Sequence, residues 1–245
     1  MKKYFFLLKI VLICFLVITS CQDKITYNQA QLQQLSEQLE LKMFAKLAYN
    51  DSIELLKLYD YCELNCVNDF SDMSKEANIH CYLRYYIKAR LIGSQIQKEN
   101  KFNNLYILAD SLNTERARDL TYISILMNRY IKYYFTQDEL LSLFPIQNKF
   151  IKTESILIEK VMLTFSLNQD TIGPKKMFDK LKTNSSSYLK ALTDYASFCG
   201  TQKSPNSVLV NEMNYLKGQK NILESDKQGI YSIFDKIQVN VERNK

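Results

Sequence analysis

Apolar residues recur every three or four positions along most of this chain, and no segment shows the strict alternation of an exposed strand. Leu32, Leu35, Leu39, Met43 and Leu47 trace one face of a first helix. A second is expected to open at Asn50-Asp51-Ser52, whose short polar side chains accept from the free amides of a helix start, and to carry Leu55, Tyr59, Cys62 and Cys66 on one face. The polar run over 68–74 predicts a turn. A long third helix follows to about residue 99, with Tyr82, Tyr85, Ala89, Ile92 and Ile96 spaced as its apolar face. A short helix over 102–112 leads to the cap signal Asn113-Thr114, and a fifth over 115–135 carries Leu120, Ile123, Met127, Tyr130 and Tyr134. Thr136-Gln137-Asp138-Glu139 fits a capping box that opens a short helix ended by Pro145. The segment 148–167, apolar nearly all round, reads as the most buried helix. Pro174 suits the first turn of the next, and segments 185–198, 206–223 and 226–239 bring the total to about ten.

Composition strengthens this picture. The whole chain holds five glycines and three prolines, against average usage of roughly 7% and 5%, so few tight turns can be built. Helices of similar length joined by short connections predict an all-α fold of antiparallel hairpins, packed as a compact or curved array over a single domain, 31–245. No glycine neighbours another, which removes phosphate-cradling loops and the nucleotide and dinucleotide cofactors they hold. YLRYYIK at 82–88 and NRYIKYY at 128–134 are loosely alike, with Arg84 and Arg129 forty-five residues apart, a spacing that suits a helical-hairpin array. The pattern faintly resembles tetratricopeptide-type repeats. It lacks their tryptophan, their Leu-Gly pair and a proline at fixed period, so the resemblance implies architecture and no binding residue.

The first twenty residues stand apart. Lys2 and Lys3 precede an apolar run over 4–18 broken only by Lys9, which fits a secretory signal and falls short of the about 20 apolar residues a spanning helix needs. Thr19 and Ser20 would serve a peptidase that cuts after small residues, giving an ordinary secreted protein. Ile18-Thr19-Ser20-Cys21 also resembles a bacterial lipobox. That resemblance implies lipidation of Cys21, which becomes the mature first residue and joins the protein to a membrane. Two or three acyl chains, at about 0.8 kcal/mol per buried methylene, hold such a protein stably. Residues 21–30 would be a tether. Gln22 is not the aspartate associated with inner-membrane retention, so the resemblance points to the cell envelope with the outer membrane favoured. Loss of Lys2, Lys3 and Lys9 lowers the formal charge from +6 to +3, leaving no strong electrostatic reason to bind nucleic acid.

Four cysteines remain for the body. Cys62, Cys66, His80 and Cys81 do not repeat the paired spacing of structural zinc sites, so no metal is expected. A bridge from either Cys62 or Cys66 to Cys81 would staple the second helix to the third, closing a loop of 15 to 20 residues worth roughly 3 kcal/mol; buried reduced thiols are the other reading. His80 is the only histidine, and no Ser-x-Gly elbow accompanies it, so nucleophilic catalysis has no visible machinery. Glu159 has the most apolar neighbours of any acid, although an exposed stripe shared with Lys152 explains it as well. YLRYYIKAR mixes rings with cations, which makes Tyr82, Arg84, Tyr85 and Lys88 the candidate binding surface. The expectation is an envelope lipoprotein acting as a helical binding or scaffolding module for another protein. The alternatives are a carboxylate-dependent enzyme on envelope polymers and an immunity-type inhibitor of one toxin.

Overall fold

Asn28 accepts from the amide of Gln31 while the Gln31 side chain accepts from the amide of Asn28, and this reciprocal cap starts α1, Gln29–Leu41. The computed structural model describes residues 27–66, 78–96, 98–114, 120–146, 152–201 and 207–243. Cys21, the signal and the 68–74 turn lie outside them. Residues 29 and 30, expected in the tether, belong to α1. The helix ends six residues before Leu47, and Met43 is buried in the turn that follows.

The chain continues as α2 (Tyr49–Asn65), α3 (Ile79–Gly93) and, after a 3-10 turn at Lys98–Asn100, α4 (Lys101–Thr114). Then come α5 (Leu120–Tyr134), α6 (Gln137–Ser142), α7 (Glu154–Leu167) and α8 (Ile172–Leu181). The last three are α9 (Ser185–Thr201), α10 (Ser207–Gly218) and α11 (Glu224–Arg243). Eleven α-helices and no strand stand among the described residues. The Asn50-Asp51-Ser52 signal falls inside α2, whose N-cap is Ala48 without a side-chain bond. Thr136 and Glu139 form the expected capping box at α6.

Side-chain ties fix the directions. Glu63–Arg84 and Cys66–Cys81 run α2 antiparallel to α3, and Lys101 to the Tyr134 carbonyl with Asn104 to Tyr130 does the same for α4 and α5. Lys160 to Ser124 and Ser187 to Glu154 join α5 to α7 and α7 to α9. The odd-numbered helices pack successively, α1 on α3 through to α9 on α11, as one continuous layer. Among the described residues α2, α4, α8 and α10 dock against it, while α6 packs on α8. Hairpins in an array therefore describe the fold.

The core repeats with this layering. Ile123, Met127 and Ile131 of α5, Leu157, Val161 and Phe165 of α7, and Ala191, Tyr195 and Cys199 of α9 are all buried, each set 34 residues after the last. Thirty-four residues is the length of a tetratricopeptide-type unit. From α3 to α5 the step is 44, from Ile79, Leu83 and Ile87 to the α5 set. A second, smaller core joins α1, α2 and α3 through Leu32, Leu39, Leu58, Cys62, Ile79, Leu83 and Ile87, and Tyr86 packs against both cores.

The inner face of α3 differs from expectation. Leu83, Ile87 and Arg90 are buried, whereas Tyr82 and Tyr85 are half-buried and Ile92 is exposed. The cause is tertiary. Arg90 Nη1 donates to the carbonyls of Ala45 at 2.6 Å and Met43 at 3.4 Å, turning a cation inward to close the link between α1 and α2.

Candidate functional site

Tyr82, Arg84, Tyr85 and Lys88 do stand together on α3, but three of them are engaged within the fold. Arg84 donates to Glu63 Oε2 at 3.1 Å and to the Tyr85 hydroxyl at 2.9 Å, and its guanidinium lies 4.7 Å from the centre of the Tyr85 ring. The Lys88 ammonium sits 5.4 Å from the rings of both Tyr59 in α2 and Tyr122 in α5. Against the desolvation that would raise it, hydrogen bonds from Tyr59 and Arg84 hold the Glu63 carboxyl below its ordinary range. These residues tie α3 to its neighbours and leave little of themselves for a ligand.

The cysteines and the histidine are placed as follows. Cys66, just after α2, bridges Cys81 in the first turn of α3, with Cα atoms 4.8 Å apart. Cys62 and Cys199 are buried reduced thiols. Burial pushes both thiols up to about 11. His80 is half-buried with its ring 5.7 Å from that of Tyr61, and burial holds its imidazole below the ordinary value. Among the described residues no three His, Cys, Asp or Glu side chains converge in a way that would hold a metal.

Three acids near the core are matched to cations. Glu159 pairs with Lys160 at 3.1 Å rather than with Lys152, and Lys160, itself buried, donates to Ser124 at 2.8 Å. Lys190 donates to both oxygens of Asp194 at 2.6 Å, while burial pushes the Asp194 carboxyl up against that pull. Buried Glu212 accepts from the Tyr188 hydroxyl at 2.9 Å and from Lys182 at 3.1 Å, so one carboxylate pins α8, α9 and α10. Burial first, then the charge of Glu212, drives the Tyr188 hydroxyl far above its ordinary value.

An opening with an unmet polar atom lies elsewhere, between α5 and α7. A groove of about 330 Å³ is lined by Tyr86 of α3, Asn128, Arg129 and Lys132 of α5, and Leu163 and Leu167 of α7. No even-numbered helix contributes, so the groove belongs to the face of the continuous layer. Buried Asn128 Oδ1 has no hydrogen-bond partner among the described residues, and an unmet acceptor of that kind costs about 1–3 kcal/mol. Arg129 is held by an ion pair to Glu40, whose other oxygen accepts from Tyr86 at 3.5 Å. Lys132 is exposed, and no acid lines the groove. A second cavity of about 400 Å³, against Thr121, Ile156 and Glu159, continues the same seam. Polar residues at 128, 129 and 132 interrupt the apolar spacing of α5, and nothing in that spacing marks a groove before α7 is laid beside it. All three stand in NRYIKYY, one of the two loosely alike stretches.

The class this geometry defines is an all-α array of helical hairpins with a basic, partly apolar groove along one layer. No protein-family model, no curated protein and no solved structure matches the chain.

Proposed function

We propose that this protein is a lipoprotein of a bacterial envelope, anchored through Cys21, whose helical array binds or scaffolds another envelope or extracellular protein. The groove between α5 and α7 carries the binding half of this reading. It offers an unmet acceptor at Asn128, apolar walls at Leu163 and Leu167, and a positive rim at Lys132. An extended peptide supplies what that set lacks: a backbone amide for Asn128 Oδ1, an apolar side chain for the walls and a carboxylate for the rim. The period of 34 residues supports the scaffolding half, because stacked hairpins present long continuous faces.

Lipobox and bridge together support the address. A Cys66–Cys81 disulfide persists in an oxidising compartment, where a signal peptide would deliver it. No helix among the described residues is long and apolar enough to cross a membrane, so attachment falls to the acyl chains.

Two variants test the halves separately. Cys21→Ser should abolish fatty-acid incorporation and release the protein from envelope membranes; retention without lipid would overturn the anchor. Lys132→Glu with Leu167→Asp alters two exposed positions and leaves the core intact. It should abolish capture of a stoichiometric protein from solubilised envelope, at unchanged melting temperature. Undiminished capture would remove the groove from the reading.

A further inference from the structure

We propose that the outward apolar stripe of α2 rests in the interfacial zone of the bilayer that holds the acyl chains, setting the orientation of the whole array. The inference rests on the anchor at Cys21 and adds a second membrane contact to it.

On α2, Leu58 and Cys62 turn inward, while Tyr49, Ile53, Leu56 and Leu64 are exposed on the other side, Tyr49 at 78% and Leu64 at 86%. At 3.6 residues per turn these four fall within an arc of about 80°. One helix thus carries two opposed apolar faces, and among the described residues only one is covered by protein.

Chain geometry says what covers the other. The first described residue, Tyr27, packs edge-to-face on Tyr61 of α2 with ring centres 5.1 Å apart, and its amide donates to the Tyr61 hydroxyl at 3.4 Å. Five residues separate it from Cys21, and the six steps between them reach only about 20 Å even fully extended. Wherever acyl chains fix Cys21, the C-terminal end of α2 therefore stands close to the lipid surface, with the start of α1 beside it. A helix lying in that surface buries an apolar face among headgroups and keeps its polar side wet. Tyr49, with an apolar ring and a polar tip, is the residue type such an interface favours.

Charge selects the kind of surface. α2 carries Asp51, Glu54, Asp60 and Glu63 against Lys57 alone, and Asp60 stands between Leu56 and Leu64 in the stripe. That pattern repels anionic headgroups and suits a shallow seat on zwitterionic lipid.

Because the chain has no tryptophan, one introduced at a chosen position reports alone. Full-length protein matured in cells is reconstituted into phosphatidylcholine vesicles containing brominated phosphatidylcholine, as Ile53→Trp and, for comparison, Ile107→Trp at an exposed position of α4. The tryptophan at 53 should be quenched several-fold more than that at 107, and adding phosphatidylglycerol should reduce the difference. Vesicle flotation with equal, weak quenching at both positions overturns this proposal and leaves the anchor standing. Crosslinks from position 49 to a protein or to a second copy, in place of lipid, overturn it as well. Failure to float, with no lipid at Cys21 by mass spectrometry, sinks the anchor and this orientation together.

Discussion

Gly93 closes α3 where it meets two neighbours at once. A Cβ there would stand 2.6 Å from the Met43 carbonyl oxygen and 3.1 Å from Leu126, and the first contact is backbone that cannot swing aside. Gly93→Ala should cost about 1–3 kcal/mol, visible as a lowered denaturation midpoint. The two reduced thiols make a second prediction at this scale. Folded Cys62 and Cys199 keep their protons up to about 11, above the ordinary 9.0, so their share of stability is full below pH 9 and is lost as pH rises through 11. Cys62→Ala with Cys199→Ala should lose less stability between pH 9 and 11 than wild type, as measured by urea unfolding across that range. Single residues were the least legible in sequence where neighbours decide their role. Arg90 counts as outward by type, yet the carbonyls of Met43 and Ala45 draw it in, and the predicted face of α3 turned with it.

Helix ends were more legible than helix faces. The Thr136 and Glu139 box needs only local chemistry and stands as read. So does Pro174, which falls in the first turn of α8, where a missing amide costs nothing. The end of α7 shows the opposite case. Gln169 has φ 52°, the amide of Asp170 donates to Phe165 and that of Gln169 to Ser166, a Schellman closure with glutamine where glycine is usual. Gln169→Gly should stabilise by about 0.5–1 kcal/mol, read as a raised melting temperature. Between α2 and α3 the bridge from Cys66 to Cys81 spans fifteen positions, and Cys66→Ser with Cys81→Ser should cost about 3 kcal/mol in denaturant unfolding. Sequence left Cys62 and Cys66 open as partners for Cys81, because both lie on adjoining turns and only the end of α2 decides between them.

The all-α class followed from scarce glycine and proline together with three-and-four spacing, and it holds for the molecule. Its period did not show. The buried sets at 123, 127 and 131, at 157, 161 and 165, and at 191, 195 and 199 share positions without sharing residue types, so a search for alike letters found the 45-residue pair instead. The groove was hidden for a related reason, since Asn128 acquires its environment only when α7 is laid beside α5. Two cores joined at Tyr86 imply uneven stability. Reduction should speed amide hydrogen exchange in α1, α2 and α3 while α5, α7 and α9 stay protected, and uniform acceleration would show one cooperative unit instead. The half-cystines at 66 and 81 also close the intervening chain into a ring. A protease cutting once inside that ring would leave two polypeptides that migrate as one on a non-reducing gel and part only when thiol is added.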